Sequence, residues 1–238
     1  MNLPTAQLIS RKKITEDLMV ITLRCEQNQF TFKPGQYCTL GIDGIERAYS
    51  IASAPFEQTI EIFIELVPDG ELTPKIWKLN LGDKVSLRPR AKGIFILKNE
   101  YTHHVMVATV TGVSPYISMI RDYLNQPSSS EKVFYVLLGA SYQDELCYDQ
   151  ELFHLSRNFP NTVKFIPTIS RPDDSRNDGW LGNVGRVNSI VKDQLNINKL
   201  SKQSTYVYAC GHPGMIEYVR EDVVSEGWNF IEERFWKE

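Results

Sequence analysis

Four consecutive residues, Arg47-Ala48-Tyr49-Ser50, bring together a guanidinium, a phenol ring and a hydroxyl. On a strand, side chains alternate, so Arg47 and Tyr49 share one face and Ser50 takes the other. An arginine fork suits a phosphate or pyrophosphate, an aromatic ring can stack on a flat heterocycle, and a hydroxyl can donate to a ring nitrogen or carbonyl. Alone, the stretch is better explained as an ordinary strand with a surface arginine and a half-buried tyrosine. Its meaning depends on what accompanies it.

Further groups with chemical potential lie in Thr111-Gly112-Val113-Ser114-Pro115, Gly139-Ala140-Ser141, Ser170-Arg171, Gly185-Arg186-Val187 and Cys210-Gly211-His212-Pro213. In the first, a glycine and small residues stand between an apolar run and a helical pattern. There, backbone amides and the helix dipole favour phosphate. Val110 occupies a position where another glycine would be more permissive, and a tight turn with no ligand accounts for the loop about equally well. Arg171 and Arg186 can together bind a second phosphate, such as a ribose 2′-phosphate; singly, Arg171 and Arg176 are loop charges beside Asp173, Asp174 and Asp178. Cys210 at a strand end can face a substrate, although a lone cysteine is more often a small buried apolar residue. His103 and His104 read as linker residues, and no nucleophilic mechanism is indicated.

Two kinds of element must position these groups. Residues 5 to 97 read as short strands broken by turns. Val20-Ile21-Thr22-Leu23 is β-rich, Pro34-Gly35 turns into Gln36–Leu40, and Asp43-Gly44 is a hairpin signal leading into Arg47. Thr59 to Val67 alternates, Pro68-Asp69-Gly70 turns the chain, and Thr73 to Leu79 reads as a short helix capped by Thr73 with Pro74 at its first position. Gly82-Asp83 turns back into Lys84–Arg88. This spacing predicts an antiparallel barrel. From about residue 100 the pattern alternates. Apolar runs at 105–108, 133–138, 163–169 and 206–209 are interleaved with helical spacing at 116–124, 145–158, 187–195 and 213–227. Continuous apolar strands between helices predict a doubly wound parallel sheet. In such a sheet, ligands bind beyond the carboxyl ends of the strands, where the second set of groups lies.

The chain has 238 residues, enough to bury a sizeable core as one or two domains. Its net charge of −3 argues against non-specific nucleic-acid binding, and no apolar run reaches membrane-spanning length. Met1-Asn2-Leu3-Pro4 lacks the parts of a signal peptide, and Cys25, Cys38, Cys147 and Cys210 have neither zinc, redox nor iron–sulfur spacing. A reduced cytoplasmic protein is the expectation.

Together the pieces resemble the ferredoxin–NADP reductase family over nearly the whole chain. The carrying motifs are Arg47-Ala48-Tyr49-Ser50, Gly70-Glu71-Leu72-Thr73, Thr111–Pro115, Gly185-Arg186-Val187, Cys210-Gly211-His212-Pro213-Gly214-Met215 and the terminal Glu233-Arg234-Phe235-Trp236. The resemblance implies a Greek-key β-barrel over residues 1–99 that binds FAD, then a Rossmann-like NAD(P)-binding α/β domain over 100–238 ending in an aromatic tail. It implies Arg47 on the FAD pyrophosphate, Tyr49 on the isoalloxazine, Ser50 near N5, and Ala48 among the cofactor-binding residues. Ile64, Glu65, Leu66, Gly70, Leu72 and Thr73 would hold the ribityl and phosphate portions. NADP(H), rather than NAD(H), would meet Thr111, Gly112, Ser114, Pro115, Gly211 and Met215, with Cys210 at the nicotinamide. Ser170, Arg171 and Arg186 would lie at the adenosine end. Phe235 would cover the flavin as a movable gate and Trp236 would pack on its adenine. Tyr49, Ser50, Cys210 and Phe235 are thus the implied catalytic residues, in a reaction passing hydride between nicotinamide and flavin N5. Val110 departs from the family's Thr-Gly-Thr-Gly type loop.

The implied partner is a ferredoxin or flavodoxin, met by a monomer or weak dimer without nucleic acid or membrane. The alternatives are an NADH-dependent oxygenase reductase or flavin reductase, and a relay subunit that has lost nicotinamide binding. Residues 1–97 hold 12 Lys/Arg against 11 Asp/Glu. An acidic carrier would want a basic patch, and Lys75, Lys78, Lys84, Arg88, Arg90 and Lys92 are candidates, although most are equally explained as a solvated barrel surface.

Overall fold

The computed structural model describes residues 3–26, 30–126 and 131–234. The chain divides into two compact units, residues 1–97 with 114–126, and residues 98–113 with 127–238. No helix among the described residues is long and apolar enough to cross a membrane.

The first unit holds β1 (Thr5–Lys13), β2 (Leu18–Cys25), β3 (Tyr37–Ile42), β4 (Ile45–Ser50), β5 (Ile60–Glu65) and β6 (Lys84–Leu87). They form one antiparallel sheet in the order β4-β3-β6-β1-β2-β5. β1, β2 and β5 are successive neighbours and β6 returns beside β1, the Greek-key arrangement. Alternate residues such as Leu8, Ile21, Leu23, Leu40, Ile60, Ile62 and Ile64 fill its core. β3 and β4 are joined by Asp43-Gly44, both at positive φ (53° and 81°), the two-residue turn whose twist matches that of the strands.

The expected barrel is barrel-like but not closed: β4 and β5 are the two edges of the sheet. Beyond Ser50 the chain leaves the ladder for a 3-10 turn at Pro55–Glu57, and the Ala52 amide donates to Glu61 O at 2.8 Å. α1 (Thr73–Trp77) is shorter than the sequence predicts, and Leu72, not Thr73, is its capping residue. The Thr73 hydroxyl turns back instead to Val67, accepting from its amide at 2.9 Å and donating to its carbonyl at 3.1 Å. α2 (Ser114–Asn125) packs with this unit. Ser118 Oγ donates to Ser53 O at 2.7 Å, Arg121 meets Glu61 at 3.0 Å, and Tyr116 packs on Phe95.

The second unit is a parallel sheet of β7 (His103–Thr109), β8 (Val133–Ala140), β9 (Val163–Ile169), β10 (Asn183–Val184), β11 (Thr205–Cys210) and β12 (Asn229–Glu233). The order is β10-β9-β8-β7-β11-β12. From β7 the chain steps outward through β8 and β9, then returns to β7's other side with β11, so the winding reverses between β7 and β11. α3 (Asp149–Asn158), α4 (Val191–Ile197) and α5 (Pro213–Ser225) belong to this unit. The helix expected over 145–158 is broken, with a 3-10 turn at Gln143–Glu145 and Tyr148 at φ 69° before α3. The one expected over 187–195 is a 3-10 turn, Val187–Ile190, running into α4.

β12 is absent from the sequence reading, which took its end for a tail. α5 stops where Gly227 adopts φ 81°, with Gly227 N bonded to Val224 O at 2.9 Å and Trp228 N to Val223 O at 3.0 Å. This Schellman end redirects the chain into a strand parallel to β11. His103 and His104 are likewise not a linker but the first residues of β7. His104 is fully buried, its two ring nitrogens placed at 3.2 Å from the Tyr208 hydroxyl and 3.1 Å from Tyr101 O.

Candidate functional site

In the first unit, the candidate groups gather along the open edges of the sheet. Arg47 lies opposite Leu40, Tyr49 opposite Cys38 and Ser50 opposite Tyr37. Arg47 and Ala48 are exposed, and Tyr49 lies partly buried against the core. Burial pushes the Tyr49 phenol far above its ordinary value, so the ring stays neutral. Ser50 is only 7% exposed, and its hydroxyl is out of water with no hydrogen-bond partner. An unsatisfied buried hydroxyl costs on the order of 1–3 kcal/mol. Such an atom on an edge strand fits a site completed by a ligand.

Arg47 reaches across to the Gly70–Thr73 turn, where its guanidinium meets Glu71 at 2.6 Å while also donating to Glu46 O at 2.8 Å. Both members of the pair are more than half exposed, so the contact is worth about 0–1 kcal/mol and yields readily to a doubly charged pyrophosphate. The Gly70 amide is already donated to Val67 O at 2.9 Å. Leu72 and Thr73 stand instead at the start of α1, where amides lack intrahelical acceptors. On the other edge strand Ile64 is buried and Glu65 exposed, and the Leu66 amide donates to Asp17 O at 2.8 Å. Arginine, aromatic ring, lone hydroxyl and helix start on one open-edged sheet fit a flat heterocycle carrying a pyrophosphate.

In the second unit, the ends of β7 and β11 meet at the reversal point through their backbones. A Cβ at Gly112 would lie 2.2 Å from Cys210 O. One at Gly211, whose φ is 127°, would lie 2.2 Å from Thr109 Oγ1, which itself accepts from His212 N at 2.7 Å. Thr111 and Gly112 belong to a 3-10 turn, Val110–Val113, while Ser114 and Pro115 open α2 and are buried. Val110 holds φ 42°, the left-handed region that a β-branched side chain resists. Cys210 is wholly buried and its thiol is pushed well above its usual value, first by burial and then by Glu233, its register partner on β12. It is therefore a neutral thiol rather than a nucleophile. Met215 is a core residue of α5, packed with Val187 and Val207.

The two arginines follow neighbouring strand ends. Arg171 follows β9 directly, and Gly185 is tied to that strand's end by its amide to Ile169 O at 2.8 Å and by Thr168 Oγ1 donating to Gly185 O at 2.8 Å. Ser170 is exposed, its amide donating to Ala140 O. Arg186 is exposed and has no ion pair among the described residues. Tyr142, which the sequence reading overlooked, joins the group: its hydroxyl accepts from Arg171 at 2.8 Å, and the Arg176 guanidinium lies 3.7 Å from its ring centroid. Arg176 is held there by Asp144 at 2.7 Å. Asn177, also overlooked and 2% exposed, pins the neighbouring loops by donating to Ser141 O and Arg171 O and accepting from Gln143 N. No local spacing links Tyr142 to Arg171. A tyrosine following the small-residue end of a predicted strand was the available clue. Phe235 and Trp236 lie outside the described residues.

Comparison with known proteins finds two domains and, unlike the grouping by packing, places α2 in the second. Residues 5–93 match the oxidoreductase FAD-binding domain and residues 106–221 the oxidoreductase NAD-binding domain. The chain is 30% identical over 201 residues to a ferredoxin–NADP reductase of Azotobacter vinelandii, covering 78% of this chain and 76% of that one. It is 31% identical over 217 residues to the phenol hydroxylase P5 protein of Acinetobacter pittii, covering 89% of this chain and 59% of the relative. A crystal structure of a ferredoxin NADP+ reductase from Neisseria gonorrhoeae with bound FAD and NADP superposes with a TM-score of 0.84 at 23% identity, covering 99% and 100% of the two chains.

Proposed function

This chain belongs to the ferredoxin–NADP reductase family of oxidoreductases, with an FAD-binding and a NAD-binding domain, and we propose that it moves electrons between NADP(H) and a small one-electron carrier, a ferredoxin or flavodoxin. The observation that carries the reading is the lone buried Ser50 hydroxyl on the same edge strand as Arg47 and Tyr49. FAD, when bound, supplies the conversion between two-electron nicotinamide chemistry and one-electron transfer.

Arg47 exchanges Glu71 for the FAD pyrophosphate, aided by the amides at the start of α1. Tyr49 presents a neutral ring face to the heterocycle, and Ser50 hydrogen-bonds near its reactive nitrogen. Gly112 and Gly211 let the ends of β7 and β11 close on each other beside the second dinucleotide, and the neutral Cys210 thiol shapes its nicotinamide end without reacting. Arg171 and Arg186 hold a ribose 2′-phosphate, with Tyr142 as a ring platform beside Arg171. Two arginines at neighbouring strand ends support NADP(H) over NAD(H).

The similarity to the phenol hydroxylase P5 protein supports a second reading, a reductase component of an oxygenase. Anaerobic titration of the FAD-loaded protein separates the readings. Bleaching of the flavin by NADPH at lower concentration than NADH, followed by reoxidation with added ferredoxin or flavodoxin, is the expected result. Preference for NADH with no transfer to either carrier would favour the oxygenase reading. No bleaching by either nucleotide would leave only an electron-relay subunit.

A further inference from the structure

Of the six cations that composition offers as a carrier-facing patch, three are neutralised in the fold. Lys75 is paired with Asp43, Lys84 with Glu26, and Arg88 with Glu46. Arg47, Lys13 and Arg121 in the same unit are paired as well. Arg90, Lys92 and Lys78 are exposed and form no ion pair among the described residues; Lys78 sits apart at the end of α1, and the fold adds Lys33 to the other two. The Lys33 amide donates to Gln36 Oε1 at 2.9 Å, and Gln36 Nε2 in turn donates to Gly93 O at 3.0 Å. Tyr37 and Lys92 exchange backbone hydrogen bonds at 2.9 Å each. The lysine turn is thereby fastened to the segment after β6. Among these cations stands Ile94, 81% exposed. Residues 27–42 and 84–98 contain no aspartate or glutamate, and the carboxylate that acts on Lys92, Glu46, is already paired with Arg88.

Register places this patch beside the candidate flavin residues. Tyr37 pairs with Ser50 on one side and with Lys92 on the other. Two strand spacings separate Lys92 from Ser50, about 10 Å. From Arg88 N bonded to Thr39 O to Lys92 paired with Tyr37, the outer segment carries two more residues than β3, a bulge centred on Arg90. Bulges of this kind re-aim side chains next to active sites.

We propose that Lys33, Arg90 and Lys92 around Ile94 form the docking face for an acidic electron carrier, the cations steering its approach and the isoleucine making the apolar contact at its centre. This rests on the reading above that a one-electron carrier is the partner.

The test compares the FAD-loaded protein with R90E/K92E, with Ile94→Ser, and with K12E/R24E. The last removes the same charge at exposed residues of β1 and β2, toward the opposite edge of the sheet. NADPH-driven reduction of ferricyanide, a small acceptor needing no docking, is expected to stay within about twofold in all. Reduction of an acidic [2Fe–2S] ferredoxin and of a flavodoxin at low ionic strength is expected to fall about tenfold or more in R90E/K92E and severalfold in Ile94→Ser, with K12E/R24E near wild type. The deficit of R90E/K92E should shrink as salt is raised, because screening removes the steering. Undiminished carrier reduction in R90E/K92E, or an equal loss in K12E/R24E, overturns the docking face and leaves the carrier reading intact. A wild-type protein that reduces ferricyanide but neither carrier overturns both. Binding to phosphatidylserine vesicles that is lost in R90E/K92E while carrier kinetics are unchanged would assign the patch to a lipid surface instead.

Discussion

The two units prepare their sites by different physics. In the first, the groups are side chains on the edge of a sheet: Arg47 in an exposed pair with Glu71, Tyr49 against the core, and Ser50 buried without a partner. In the second, the ends of β7 and β11 touch backbone to backbone, and glycine is the only residue that fits at two points. Side-chain sites are tunable one residue at a time, because removing a group leaves the strand standing. Backbone sites are nearly all-or-none, because a single methyl group must move the chain. The interiors differ as well. The first encloses hydroxyls such as Ser118 bonded to Ser53 O, whereas the second encloses a histidine with both nitrogens committed.

The harshest test of the contrast is Gly112→Ala or Gly211→Ala. With a methyl forced to within 2.2 Å of Cys210 O or Thr109 Oγ1, and Gly211 additionally at φ 127°, each should cost about 3 kcal/mol or more in urea unfolding. Nicotinamide-dinucleotide binding should be lost while FAD content is retained. A loss under 1 kcal/mol would show that the two strand ends are not rigidly apposed. Next in size is Arg47→Ala, which should weaken FAD about tenfold to a hundredfold by equilibrium dialysis, as loss of a charged hydrogen bond predicts. The fold should be unchanged by circular dichroism.

The buried histidine predicts acid sensitivity. Burial, reinforced by the Lys132 charge, lowers the His104 pKa to about 3, below its ordinary value of 6.5. The stability of the neutral ring is therefore complete above pH 6.5 and is lost as the pH falls toward 3. The expected loss is about 1 kcal/mol per pH unit. Urea unfolding at pH 7 and pH 5 should show a smaller drop for His104→Gln than for wild type, and parallel drops would reject a buried neutral histidine. Val110→Gly should relieve the φ of 42° and raise the melting temperature, the gain being roughly 1 kcal/mol after glycine's own entropy cost. The smallest effect belongs to Glu71→Gln. Removing the carboxylate that occupies Arg47 should tighten FAD by no more than about fivefold, consistent with an exposed pair. Weaker FAD binding would mean that Glu71 positions the arginine instead of competing for it.

Much of this was legible in the chain because it depends on neighbours a few residues apart. Asp43-Gly44 can be read as a hairpin since both residues must take positive φ, and they do. Val110 is conspicuous where glycine is expected, and it is the β-branched residue among those holding positive φ. The alternation of Ile60, Ile62 and Ile64, and the continuous apolar runs of β7, β8 and β11, report their burial directly. Other features were not legible. Thr73 has the residue type of a cap but spends its hydroxyl on Val67 across a turn. His103-His104 looked like a polar linker, because a buried histidine is tolerated only where the fold supplies partners such as Tyr208, over a hundred positions away.

The order of elements, an antiparallel β unit followed by a parallel α/β unit, and the residue types at each strand end are properties of the sequence itself. Periodicity, turn chemistry and glycine placement are local and need no long-range partner to be expressed. The tertiary structure decided that the barrel stays open between β4 and β5, that β12 completes the second sheet, and that α2 groups with the first unit. It also decided which charges cancel. Lys75 meets Asp43 and Arg88 meets Glu46, while Lys33, Arg90 and Lys92 form no ion pair among the described residues. Such pairings are set by strand register and chain packing across tens of residues, and no short window of sequence contains both members.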